Sequence, residues 1–155
     1  MTQDTATLQS ATSSTDLCLR LARANAVLVR RLDSALGSHH GISYGDFQLL
    51  NHLARAPETR LRRIDLAERL GLSASGVTRS LLPLEKIGLV ARESDPRDAR
   101  VGFAVVTPAG LELVINATDV VDVVSREALR AFHPEQIATL STVLGQIAGL
   151  HAANS

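Results

Sequence analysis

Apolar residues return at intervals of three and four along residues 16–36, as Leu17, Leu21, Ala24, Leu28, Leu32 and Leu36. That period predicts an amphipathic helix. "SYGD", residues 43–46, has the form of a capping box, with Ser43 placed to accept from the third amide and Asp46 in the positive first turn, so a second helix is expected to run to about Arg55. "PETR" ends it. In "RRIDLAERL", residues 62–70, Ile64, Leu66, Ala67 and Leu70 fall on the inward side of a short helix, and Gly71 supplies the left-handed residue that stops it. Ser73 caps the next helix, from which Val77, Leu81 and Leu84 face back. Helix, tight turn and helix at this spacing match a helix-turn-helix.

After Gly88 the period changes. "LVARES" and "VGFAVV" alternate or run β-branched on either side of the polar, proline-containing "DPRDAR", which predicts two strands joined by a loop. A hairpin that follows a helix-turn-helix makes a winged helix. Pro108 after Thr107 marks a new helix start, since Pro fits the first helical position where no amide bond is needed. Leu113, Ala117, Val120, Val121, Val124 and Ala128 continue that helix, and His133-Pro134-Glu135 opens a last one with Ile137, Leu140, Leu144 and Ile147 on one face. The expected fold class is mainly α with a small β-hairpin wing: a winged helix-turn-helix plus a helical dimerisation region. The outer helices are more apolar than one small core requires, which predicts that they pack against a second chain.

Composition narrows this picture. At 155 residues the chain fits one domain, and 45% hydrophobic residues with only 3% aromatics favour packed helices over an all-β sandwich. Residues 1–15 are polar, with no positive start and no apolar core, so a mobile tail is expected rather than a signal peptide. No apolar run reaches the ~20 residues of a membrane span, so none is expected. The single cysteine, Cys18, excludes an intramolecular disulfide and is compatible with a reducing cytoplasm. No glycine-rich phosphate loop is present, and no Ser or Cys has a base partner at a motif spacing, so an enzyme is disfavoured and no cofactor is expected.

Net charge is zero, but its distribution is not even. Residues 60–102 hold nine of the sixteen basic residues against six acidic ones, leaving +3 there and −3 in the remainder. Eight of the nine are Arg, the side chain suited to phosphate forks and base edges. A basic cluster is either a solvated face or a working surface. A winged helix used purely as a protein-interaction module is the rival reading from another class, and bases on the helix start, the second helix and the wing together argue against it.

"DLAERLGLSASGVTRSLLPLEKIGLVARE", "DPRDAR" and "VTPAG", in that order and spacing, resemble the MarR family of winged-helix transcriptional regulators over about residues 16–150. The resemblance implies a sequence-specific DNA-binding regulator, a ligand-responsive repressor that binds an inverted-repeat operator on double-stranded DNA as a homodimer. It divides the chain into a tail (1–15), a dimerisation helix (16–42), a DNA-binding domain (43–106) and C-terminal dimerisation helices (107–151). Ser75, Gly76, Thr78 and Arg79 then lie in the first turns of the recognition helix, the end that enters the major groove. In the wing, Asp98 holds Arg100 extended toward the minor groove, while Arg97 reaches DNA or pairs with Asp95 as a brace.

Two features depart from the family pattern. Arg62, followed by Arg63, stands where a Ser or Thr cap is usual, and cations at a helix start oppose its dipole by about 0.3 to 1 kcal/mol each, so phosphate contacts are expected to compensate. Pro83 falls inside the recognition helix, where a bend between Arg79 and Pro83 is expected. For control, Cys18 looks like the sensing cysteine of the peroxide-responsive branch, which makes a thiol-based regulator the alternative. The other reading of Cys18 is a small apolar residue on an inward helix face. The family default is an apolar pocket for a small phenolic or carboxylic effector, with Arg23, His39, His40 and Tyr44 as candidate polar lining. His39 and His40, with His52, have no recognised zinc spacing, so no metal is expected.

Overall fold

The computed structural model describes residues 4–149, with side chains from residue 13 onward. Residues 1–3 of the expected tail and residues 150–151 of the expected C-terminal region lie outside the described residues. The chain divides into two compact units, residues 1–121 and 122–155.

The first unit carries α1 (Asp4–His40), α2 (Tyr44–Arg55), β1 (Arg60–Arg62), α3 (Arg63–Leu70), α4 (Ala74–Lys86), β2 (Val90–Ser94), β3 (Gly102–Val106) and the start of α5 (Pro108–Leu129). α1 starts twelve residues ahead of the expected Asp16, so residues 4–15 are helical rather than a tail. No Gly or Pro precedes Gly37, and a helix already nucleated adds residues at little further cost. Only Leu32 and Leu36 of its apolar stripe are buried; Leu17, Leu19 and Val27 are exposed.

The predicted capping box closes the start of α2: Ser43 Oγ accepts from the Asp46 amide at 3.0 Å and Asp46 Oδ2 accepts from the Ser43 amide at 2.9 Å. Asp33 of α1 adds a third tie by accepting from the Tyr44 amide at 2.7 Å. The core gathers Leu36, Phe47, Leu50 and Leu53 from α1 and α2, Leu66, Val77, Leu81 and Leu84 from α3 and α4, and Val90, Ala104 and Val106 from the strands.

The wing is a three-stranded antiparallel sheet in the order β1-β3-β2, with Arg92 opposite Ala104 and Arg62 opposite Phe103. β1 is not foreseen by the periodicity, because three residues with Leu61 alone buried are too short to show a period. The turn before it holds Glu58 and Thr59 with φ of 56° and 54°, the left-handed region that β-branched residues rarely occupy. α4 remains helical through Pro83 to Lys86. Where β3 leads into α5, Thr107 Oγ1 donates to the Gly88 carbonyl at 2.6 Å and accepts from the Gly110 amide at 3.1 Å. Gly110 is needed there, since a Cβ would stand 2.2 Å from the Leu89 carbonyl oxygen.

The second unit holds the end of α5 and α6 (Pro134–Ile147). His133 and Pro134 open α6 as expected, with the His133 amide donating to Gln136 Oε1 at 2.9 Å. α6 has no buried residue, and Leu140, Val143, Leu144 and Ile147 are all exposed.

Candidate nucleic-acid interface

α3 and α4 meet at a tight corner. Gly71 stops α3 at φ 64°, and Ser73 caps α4 by accepting from the Gly76 amide at 3.1 Å. Ser73 is thus a cap, and it shares a 3.1 Å hydrogen bond with Ser75 Oγ. Val77, Leu81 and Leu84 are buried, which turns Ser75 and Arg79 outward. Among the described residues Arg79 has neither an ion pair nor a side-chain hydrogen bond, so its five donors are open to solvent.

Arg62 is the N-terminal cap residue of α3 and makes no side-chain cap. The charge that offsets it lies in the helix itself: Asp65, in the first turn, accepts from Arg62 Nε at 3.0 Å. Arg63 is half-buried and crosses to α4, where Nη2 donates to Thr78 Oγ1 at 2.8 Å. One of its donors is therefore committed within the protein rather than at a phosphate.

The wing tip is held by its own carboxylates. Asp95 Oδ1 accepts from the Arg97 amide at 2.7 Å and Asp98 Oδ1 from the Arg100 amide at 3.0 Å, each the two-residue reach of an Asx turn. The expected brace between Asp95 and Arg97 thus runs through the backbone, and the Arg97 guanidinium is unpaired among the described residues. Arg100 Nε is 3.8 Å from Asp98 Oδ1 with its side chain 95% exposed, so the pair is loose and the guanidinium projects. Exposed pairs of this kind contribute about 0 to 1 kcal/mol.

These parts face one another. An open groove of about 570 Å³ is lined by Arg62, Arg63 and Ile64 at the start of α3, Ala74 and Thr78 on α4, and Ala99, Arg100, Val101 and Gly102 on the wing. Other members of the Arg cluster serve the fold. Arg60 pairs with Glu58 at 2.6 Å and Glu93 at 3.4 Å and lies over the Phe103 ring at 4.8 Å, while Arg92 pairs with Glu85 at 3.1 Å. Sequence spacing gives no sign of these pairs, because Glu93 and Glu85 are brought in by the sheet and α4 rather than by local period.

The expected effector lining is not gathered in one chain. Arg23 lies sixteen residues before His39 on α1, roughly 24 Å along the axis at 1.5 Å per residue. His39 Nδ1 lies 2.9 Å from the Ala35 carbonyl of its own helix, and Tyr44 stacks on Phe47 with ring centroids 6.2 Å apart. Cys18 is exposed, so it does not sit on an inward face of this chain. His52 of α2 is half-buried; burial, then the Arg69 and Arg55 guanidiniums, hold its imidazole below the ordinary histidine value. Among the described residues no group of three or more His, Cys, Asp or Glu is placed to hold a metal ion, and no helix is long and apolar enough to cross a membrane.

Residues 40–101 match a model of the MarR family. The fold is similar to Sco3205, a MarR family transcriptional regulator from Streptomyces coelicolor solved in complex with DNA, with a TM-score of 0.80 and 30% identity over 88% of this chain and 87% of that one. AbsC, a MarR family transcriptional regulator from the same organism, is similar with a TM-score of 0.79 and 26% identity over 88% of this chain and 93% of that one. An HTH-type transcriptional regulator of Bacillus subtilis (strain 168), YdgJ, is 29% identical over 107 residues. The match spans 69% of this chain and 64% of that relative.

Proposed function

The chain belongs to the MarR family of transcriptional regulators, and from that premise we propose that it is a ligand-responsive repressor that binds an inverted-repeat operator as a homodimer. Residues 43–106 carry the DNA-binding surface, and residues 16–42 and 107–151 supply the dimerisation helices. Ser75, Gly76, Thr78 and Arg79 enter the major groove, Arg79 forking onto a guanine edge. Arg97 and Arg100, with Asp98 as the tether of Arg100, follow the minor groove, and Arg62 meets a phosphate. The role is binding rather than catalysis, in the cytoplasm, and a small phenolic or carboxylic effector releases the DNA.

The observation that carries this reading is the single groove onto which Arg62, the first turns of α4 and Arg100 converge. A solvated basic face has no reason to bring a helix start, a reading helix and a wing tip to one opening. The exposed apolar residues of α1 and α6 support a dimer, because a second copy removes them from water.

The test is affinity for operator duplexes selected from genomic fragments, measured at several salt concentrations. Arg62→Ala and Arg100→Ala each lower the slope of log affinity against log salt by about 1.8 for the dimer, one neutralised backbone charge from each protomer. Arg79→Ala costs about 1 to 3 kcal/mol and relaxes one symmetric base position. Unchanged slopes and no selected sequence favour the protein-interaction reading instead.

A further inference from the structure

Thr78 carries an unusual constraint for a hydroxyl on a reading helix. A guanidinium has donors only, so in the 2.8 Å contact Arg63 Nη2 donates and Thr78 Oγ1 accepts. Within the protein the hydroxyl hydrogen is directed to the Ala74 carbonyl one turn back at 3.1 Å. Its donor and one lone pair are taken, and one lone pair is left.

Resting on the DNA-binding reading above, we propose that Thr78 reads its base as a hydrogen-bond acceptor only, and that Arg63 holds it in that state. In the major groove the groups that donate are the N6 amino of adenine and the N4 amino of cytosine; guanine and thymine present acceptors. The base opposite Thr78 on the contacted strand is therefore adenine or cytosine. Guanine or thymine there sets one acceptor against another.

Three features keep Arg63 in place. Its side chain is half-buried, it enters from the first residue of α3, and it passes across β3 where residue 102 has no side chain. A Cβ at Gly102 would stand 3.2 Å from Arg63 Cδ, so glycine leaves the passage open. Ser75 has no such constraint: its bond to Ser73 Oγ at 3.1 Å runs in either direction. Arg79, with donors alone, is complementary to Thr78 and takes the guanine or phosphate acceptors.

The experiment is a selection from duplexes randomised across the half-site, followed by affinities on the four duplexes that differ at the position sensitive to Thr78. The variants are Thr78→Val, which keeps the β-branched shape and removes the hydroxyl, and Arg63→Ala, which frees it to turn. Wild type is expected to prefer A or C over G and T by about three- to tenfold, the effect of one hydrogen bond. Thr78→Val removes that preference and leaves the other positions as they were. Arg63→Ala admits G and T there and keeps the wild-type salt slope.

A preference for G or T at the Thr78 position overturns the proposal. So does an Arg63→Ala protein that keeps the base preference but loses about 1.8 from the dimer's salt slope, for then Arg63 is a phosphate contact in each protomer. Arg63→Met, which keeps the apolar stem and removes the guanidinium, repeats the Arg63 arm should Arg63→Ala fail to melt cooperatively, with the same outcomes deciding. Failure of wild type to select any sequence is a separate result that sinks the DNA-binding reading itself.

Discussion

The winged unit and α6 are built from similar apolar periods and treat them in opposite ways. Along α4, Val77, Leu81 and Leu84 recur at helical spacing and are each at most 2% exposed; along α6, Leu140, Leu144 and Ile147 recur at the same spacing and are each more than 40% exposed. The period of a sequence therefore states that a face must be covered, not what covers it. In the winged unit the cover is the same chain, from α1 to β3. For α6 it is proposed to be a second copy.

Paired truncations put the largest strain on that contrast. Leu81→Ala is expected to lower the unfolding free energy by about 2 to 5 kcal/mol, as for a fully buried leucine. Leu144→Ala, at dilutions where the chain is monomeric, is expected to cost under about 1 kcal/mol, since little burial is lost. It should instead weaken self-association in sedimentation experiments. Equal costs in denaturant melts would erase the difference between the two regions.

Gly110→Ala sharpens the same contrast inside the winged unit. Its Cβ meets a backbone oxygen and the Val106 side chain, neither of which can swing away, so about 1 to 3 kcal/mol of stability is lost on melting. By comparison Gly145→Ala, in α6, is expected to be neutral or to gain up to about 1 kcal/mol from helix propensity.

Thr59→Gly relieves a β-branched residue of its left-handed backbone and is expected to raise the unfolding free energy by about 0.5 to 1 kcal/mol. A lower melting temperature would mean that the Thr59 Oγ1 bond to the Glu58 carbonyl, at 2.7 Å, outweighs the strain.

The smallest effect concerns pH. His52 has a folded-state pKa below its ordinary value of 6.5, so the unfolded chain binds more protons between the two values. Its contribution to stability is present above the ordinary value and is lost as pH falls through the lowered one. His52→Gln should flatten the melting temperature between pH 7 and 5 relative to wild type. An unchanged profile would mean that His52 contributes nothing to the acid sensitivity of the fold.

Most helices of this fold were legible because their signals are local: the box at Ser43 and Asp46, Gly71 at the corner, Pro108 and Pro134 at helix starts. β2 and β3 of the wing were legible for the same reason, as a change of period around a polar loop. What stayed hidden depends on tertiary placement. β1 exists only because β3 pairs with it, and Arg60 and Arg92, which the sequence shows only as members of a basic cluster, become braces when Glu93 and Glu85 arrive beside them. Arg63 shows the same limit: its partner Thr78 lies fifteen positions on, beyond a turn whose angle the sequence implies but does not measure.

The third strand also sets an order for folding. β2 and β3 are joined by a short loop and can zip as a local hairpin in microseconds. Arg62 of β1 faces Phe103, roughly forty residues further on, so that pairing closes a loop containing all of α3, α4 and β2. Closing a loop of that length costs roughly 3 kcal/mol in chain entropy by the logarithmic length dependence, before any contact is gained. The reading helix is thus enclosed by the less local of the two ladders, which is expected to form last, and a nascent chain then holds no complete reading surface until β3 has joined the sheet.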